Sequence, residues 1–195
     1  MRHIPPELET LVGAEKIDFS VFSRRKKPAK HSLNIILWGS IWTAFTSIFV
    51  AILFVPILKG EELSFYVNNE PVTASLDNLE PLLFPAALIG FFVLIGITVL
   101  LVGFISLFIR GGYFVGTASR LLHYHKGNLK TFDWGQFTGN IEMHVRRGNI
   151  TLQLRSGKMV GSKGRPARFV PDVVYIAGAP NVLEIEKICR ERISG

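Results

Sequence analysis

Two apolar runs dominate the pattern of the chain: Leu33–Leu58 and Leu82–Ile109 contain no Asp, Glu, Lys or Arg over 26 and 28 residues. As helices each would reach about 40 Å, against a hydrocarbon core of about 30 Å. One charge at the bilayer centre is penalised by about 2.5–3.5 kcal/mol on insertion scales, so charge-free runs of this length predict two transmembrane helices. In the polar segment between them, Ser64-Phe-Tyr-Val67 and Pro71-Val-Thr-Ala74 flank Asn68-Asn69-Glu70. Asn tolerates positive φ, so a small β-hairpin is expected there. Such a hairpin alone is marginal in water, which suits a connector better than a binding module.

Beyond Arg110 the period changes to two. Gly112–Ala118 and Arg120–Lys126 read as strands, followed by a turn at Gly127-Asn128 and a third strand, Leu129–Trp134. Ile141, Met143 and Val145 alternate with Glu142, His144 and Arg146. After a turn at Arg147-Gly148-Asn149, Ile150, Leu152 and Leu154 alternate with Thr151, Gln153 and Arg155. This alternation predicts an antiparallel sheet buried on one face. Val173–Ala177 is a continuous apolar run and reads as a buried strand. Asn181 is placed to cap a helix, Val182–Ile193, with Val182, Ile185, Cys189 and Ile193 on one stripe and Glu186 paired with Arg190 outside.

Charge orients these elements. Arg24, Arg25, Lys26, Lys27 and Lys30 precede the first span and Arg110 follows the second, while the connecting loop has five acidic residues against Lys59 alone. By the positive-inside rule both termini are cytoplasmic and the loop is external. The resulting division is a cytoplasmic tail (1–32), a first span (33–58), an external loop (59–81), a second span (82–109) and a cytoplasmic β-domain (110–195), a multi-pass arrangement in the cytoplasmic (inner) membrane. Residues 1–32 are too long and too polar for a cleavable leader. Trp38 and Trp42 are expected at the membrane interface. The net charge of +7 is concentrated in the last segment, which has 14 Lys/Arg and 6 Asp/Glu. An anionic leaflet accounts for that charge, whereas no basic-aromatic motif or recognition helix points to nucleic acid.

Small residues mark packing surfaces on the spans. Gly39, Thr43, Ser47 and Ala51 recur every four residues in the first, and Gly96 and Gly103 lie a heptad apart in the second, with Gly90 nearby. Close packing of the two as an antiparallel hairpin is expected. The absence of ionisable residues in the spans argues against a transporter or proton relay formed by this chain alone.

Several short motifs carry a resemblance. Thr117-Ala-Ser-Arg120-Leu-Leu-His-Tyr124 is similar to the "T-x-x-R-hydrophobic" strand of bacterial pleckstrin-homology-like (PH-like) domains. Thr131–Thr138 resembles the end of their third strand, and Gly148–Leu154 and Tyr175–Val182 their later hairpin and the strand entering the C-terminal helix. Gly13-Ala-Glu-Lys-Ile-Asp-Phe19 resembles their "G-E-K" lead-in, with Ala14 inserted. Many members carry a pair of spans before this domain. The resemblance covers about Gly112–Ile193 together with the span arrangement. It implies a partly open barrel capped by a C-terminal helix, generally non-catalytic, and carries over no catalytic residue and no cofactor.

Candidate chemistry is sparse. His123 and His125 share a strand face, but further metal ligands are lacking and two surface histidines fit better. Cys189 reads as a small buried hydrophobe rather than a nucleophile. Gly157–Lys163 is not a phosphate loop, since its spacing is one residue short and Lys follows Ser. Asn149-Ile-Thr151 has the glycosylation pattern but lies on the cytoplasmic side. No nucleophile-base-acid constellation stands out, so an enzyme is not expected. The basic run Arg155, Lys158, Lys163, Arg165 and Arg168 contains no acidic residue, and Gly157, Gly161, Gly164 and Pro166 predict an irregular loop. Near an anionic leaflet such a loop gains on the order of 1 kcal/mol per basic residue. A solvated charge run is the competing reading of the same residues. The function expected is a membrane scaffold or interaction protein whose partners are membrane lipids and a protein partner or its own copies. An accessory subunit of a larger membrane complex is the alternative.

Overall fold

The computed structural model describes residues 5–67, 69–161 and 166–195. The chain runs α1 (Pro6–Val12), β1 (Ile17–Ser23), α2 (Ala29–Leu58), β2 (Leu63–Val67), β3 (Glu70–Ala74) and α3 (Leu83–Phe108). It continues through β4 (Gly112–Thr117), β5 (Arg120–His125), β6 (Asn128–Asp133), β7 (Phe137–His144), β8 (Asn149–Val160) and β9 (Arg168–Ala177) to α4 (Val182–Ser194). Two units result: Lys30–Leu107, and Met1–Ala29 together with Phe108–Gly195.

In the first unit, α2 and α3 are long and apolar enough to cross a membrane. Only 17% and 11% of their most apolar windows are buried, unlike the core helices of a soluble domain. They meet along a heptad seam. On α2 Ser32, Ile36, Gly39, Thr43, Thr46, Val50, Leu53 and Ile57, all buried or half-buried, are separated alternately by four and three residues. On α3 Ala86, Ile89, Val93, Gly96, Leu100, Gly103 and Leu107 repeat the pattern. An average step of 3.5 residues keeps a seam facing its partner. The glycines set the approach: a Cβ on Gly96 would stand 2.6 Å from Thr43 Oγ1, and one on Gly103 2.7 Å from Ile36 Cγ1. Gly39 is closed against Leu100 at 3.0 Å, whereas a Cβ on Gly90 would meet open space.

Ser47 and Ala51, expected in the packing stripe, are exposed, and Thr46 and Leu53 occupy the seam instead. Each four-residue step overshoots a helical turn by about 40°, so a strict four-residue stripe winds off the contact. Trp38 is exposed, but Trp42 donates its indole N–H to the Phe92 carbonyl at 3.0 Å and so ties the helices together. The expected hairpin forms as β2 and β3, with Asn69 at φ 67°. Ala74, Leu82, Leu53 and Ile57 form a small buried cluster that supports it.

The second unit is a β-domain of two antiparallel sheets, β1-β4-β5-β6 and β7-β8-β9. Phe114, Leu121, Phe137, Ile150, Leu152 and Ile176 fill the core with Val182, Ile185 and Cys189 of α4. Val115 and Leu122 alternate with Phe114 and Leu121 and so face the opposite side of the sheet, where Leu8 and Val12 of α1 bury them. Burial of each such side chain contributes roughly 1.5–3 kcal/mol. The N-terminal segment expected to be a tail therefore supplies a helix, an edge strand and core residues Phe19 and Val21. β1 alone is short and weakly patterned; its partner β4 lies some ninety residues further on.

Smaller departures have local causes. The turn after β5 falls on Lys126 and Gly127, both at positive φ (49° and 81°), with Asn128 already in β6. Asn181 precedes α4 as expected but adopts φ 53°, ψ 38°, and its side chain makes no cap hydrogen bond. A side-chain cap needs extended backbone at that residue. The Glu186–Arg190 pair forms, with Arg190 Nε donating to Glu186 at 2.8 Å.

Candidate functional site

The chain leaves the β-domain after β1 and returns into β4, so both helices of the other unit are spliced between two hydrogen-bonded neighbours. Ser23 pairs with Gly112, Gly111 N–H donates to Ser23 O at 3.0 Å, and Lys26 N–H to Ile109 O at 2.9 Å. Departure and return are thus clamped together. The second sheet joins at the same point, where Arg25 N–H donates to Ala177 O at 3.2 Å. Ser23 is fully buried here: its hydroxyl accepts from Ala177 N–H at 2.8 Å and lies 2.8 Å from Arg25 O as donor.

The short motifs at the two ends of the domain meet in space. Glu15 accepts from Arg120 and from Ser119, the latter at 2.8 Å, and hydrogen bonds led by Thr117 hold its carboxyl below the usual carboxylate range. Thr117 Oγ1 accepts from Arg120 N–H at 3.2 Å, and Trp134 donates its indole N–H to Thr117 O at 2.9 Å. These contacts close a turn and pin α1 to the sheet. These contacts join one part of the chain to another, although the buried Nε of Arg120 finds no hydrogen-bond partner.

The two ends of the basic run, Arg155 to Val160 and Arg168, lie in strands rather than in an irregular loop. After the irregularity between Gln153 and Gly157, β8 and β9 continue as a two-stranded arm, pairing Gly157 with Pro171, Lys158 with Val170, Met159 with Phe169 and Val160 with Arg168. The alternation that begins at Ile150 breaks at the register shift before Gly157, yet pairing with β9 resumes beyond it and outweighs the local turn preference. Lys158, Val160 and Arg168 share one face; Met159 and Phe169 share the other. The Phe169 ring covers Gly157, 2.7 Å from where a Cβ would stand. Met159 is 64% and Phe169 53% exposed, a pair of bare hydrophobes that the charge pattern alone conceals. Arg155 lies at the root and donates its Nε–H to Phe137 O at 3.1 Å, so its head is partly committed to the fold. Lys163 and Arg165 lie outside the described residues. Among the expected lipid-contacting residues, the structure thus brings Lys158 and Arg168 together and sets Arg155 apart.

His123 stacks on Phe114 with ring centroids 4.2 Å apart, and its Nε2 lies 2.7 Å from Gly111 O. Burial lowers its pKa, a shift that the Gly111 bond opposes and the nearby cations of His125, Lys130 and Lys26 reinforce. His125 stands 6.5 Å away, centroid to centroid. Among the described residues no group of three or more His, Cys, Asp or Glu side chains gathers as metal ligands would. Cys189 is fully buried on α4, and burial pushes its thiol up to about 12, far from a reactive thiolate.

No family model, no curated protein and no solved structure matches this chain.

Proposed function

We propose that the chain is a non-catalytic integral membrane scaffold, with a PH-like β-domain held at the cytoplasmic face of a bacterial inner membrane. Both termini would be cytoplasmic and the β2–β3 hairpin external, in keeping with the basic flanks and the acidic loop. Two sheets closed by a C-terminal helix, and the meeting of Glu15 with Arg120, support the PH-like reading.

The observation that carries the function is the bare arm formed by the far ends of β8 and β9. It presents exposed Met159, Val160 and Phe169 beside Lys158 and Arg168, and among the described residues neither strand is paired on its outer edge there. Such edges are templates for strand addition, and apolar residues rimmed by charge mark a protein-binding surface. The exposed apolar pair favours protein over lipid as the reading of this surface. Asn149, at the other end of β8, pairs with Ala177 beside the point of chain departure. The eight residues from there to Gly157 span on the order of 26 Å at about 3.3 Å per residue. The arm therefore occupies the end of β8 far from Asn149, and its partner is a second copy or an unlike protein with an acidic, apolar face.

The mass of the full chain, solubilised in mild detergent, tests this. A uniform homo-oligomer that falls to monomer in Met159→Ser/Phe169→Ser is the expected outcome for self-docking. Unlike chains at fixed stoichiometry would make it an accessory subunit. A monomer that is indifferent to the arm would overturn the scaffold reading. The lipid reading of Lys158 and Arg168 separates in the same protein: a fluorophore on Met159→Cys, with Cys189 inert, should escape quenchers carried on anionic lipid.

A further inference from the structure

An open cavity of about 420 Å³ lies at the end of the β-domain from which the chain departs. Its walls are the turn carrying Arg146, Arg147 and Gly148, the turn from Gly178 to Asn181, the first residues of α4, and Arg24. No acidic side chain lines it. Among the described residues the ion pairs are made by Arg120, Arg190 and Arg192, so the three arginines here have no carboxylate partner. We propose that this cavity binds a phosphate ester, independently of the role assigned to the arm.

The site is already framed. Ala179 N–H donates to Gly148 O at 2.9 Å and Gly178 N–H to Asn149 Oδ1 at 3.1 Å, locking the two turns face to face. Gly148 is left-handed (φ 64°), and a Cβ there would strike the Ala179 carbonyl, so this close approach requires glycine. The stem of Arg24 packs on Gly178, its Cβ 3.1 Å from where a glycine substituent would stand. Arg24 also borders a neighbouring cavity that holds Asp18 and Glu184, but Asp18 is engaged by Arg192 at 2.8 Å.

Three arginines lining one opening suit a tetrahedral dianion, whose oxygens accept paired N–H bonds that a carboxylate can satisfy only in one plane. The start of α4 adds to the field: Glu184 and Ile185 N–H donate to Asn181 O, leaving Val182 and Leu183 at the cavity wall with no side-chain cap. Val145 and Leu183, 51% and 59% exposed, put apolar surface at the rim, where the organic part of an ester would lie. A soluble phosphate ester and the headgroup of a phosphate monoester lipid offer the same chemistry.

Two measurements on the full chain in phosphatidylcholine nanodiscs separate these sources. Calorimetric titration with glycerol 3-phosphate reports the soluble ester. Native mass spectrometry after incorporation of a minor fraction of phosphatidic acid reports the lipid. Binding is expected in at least one arm, and Arg146→Gln/Arg147→Gln should weaken it about 100-fold, roughly tenfold for each charged hydrogen-bonding group lost. Arg146→Lys/Arg147→Lys, which keeps charge but not the fork, should fall between, and serves if the Gln variant does not fold. Lys126→Gln/Lys130→Gln removes the same charge elsewhere, at exposed residues outside both the cavity and the arm, and should leave binding unchanged. Absence of binding in both arms, or equal loss in the Lys126/Lys130 control, would overturn the proposal.

Discussion

Burial of His123 between Phe114 and the Gly111 carbonyl makes the stability of the β-domain depend on pH. Its pKa is lower folded than unfolded, so the unfolded chain binds the proton more readily. Its contribution is complete above the unfolded value of about 6.5 and is lost as pH falls from there through the folded value. The melting temperature should therefore drop between pH 8 and 5.5. His123→Gln should flatten that drop while costing stability at pH 8; equal slopes for both proteins would place the titrating group elsewhere. The alternation of β5 puts His123 and His125 on one face, but only the fold reveals that the His123 ring is stacked on Phe114 and bonded to Gly111. Ser23 was invisible for a related reason. A serine among mixed residues carries no pattern, and its role as acceptor for Ala177 N–H arises from a contact 154 residues away.

At the scale of elements, the helical pair shows how spacing becomes energy. Gly90 and Gly103 look alike in the chain, yet one faces open space and the other the backbone of α2 at Ile36, whose N would lie 3.1 Å from its Cβ. Gly103→Ala should destabilise the pair by about 1–3 kcal/mol through overpacking. Gly90→Ala should be neutral or stabilising by roughly 0.5–1 kcal/mol, because helix propensity alone operates there. Thermal unfolding of the full chain in detergent distinguishes them; equal shifts would show that the seam is misplaced. The lengths of both helices, the β2–β3 turn and the apolar stripe of α4 were legible, since each depends on local periodicity. The seam was legible only in part: its small residues were visible, but the register that selects Thr46 over Ser47 depends on the partner helix.

For the whole molecule, the spliced connection has a direct consequence. Because Lys26 and Ile109 are hydrogen bonded where the chain departs and returns, the helical unit is an insertion in a turn of the β-domain. Replacing residues 30–107 by a short Gly-Ser linker should leave a soluble, folded β-domain, since a loop of that size closes at little entropic cost. Dispersed amide resonances and a cooperative melt would bear this out; a collapsed, non-cooperative product would mean that the helices are needed for folding.

What the sequence by itself determined is what local physics decides: two charge-free runs too long for a small core, a change of period from helix to strand, and an amphipathic closing helix. The tertiary structure decided what distant residues share. It drew residues 6–23 out of an expected tail and into the domain, because β1 finds its hydrogen bonds on β4 and α1 finds Val115 and Leu122. It paired the two ends of a glycine-rich basic run as an arm, because β9 supplies a ladder that overrides turn preference. It also gathered Arg24, Arg146 and Arg147 around one cavity, a juxtaposition no spacing along the chain foretells, since backbone pairing between two sheets sets it.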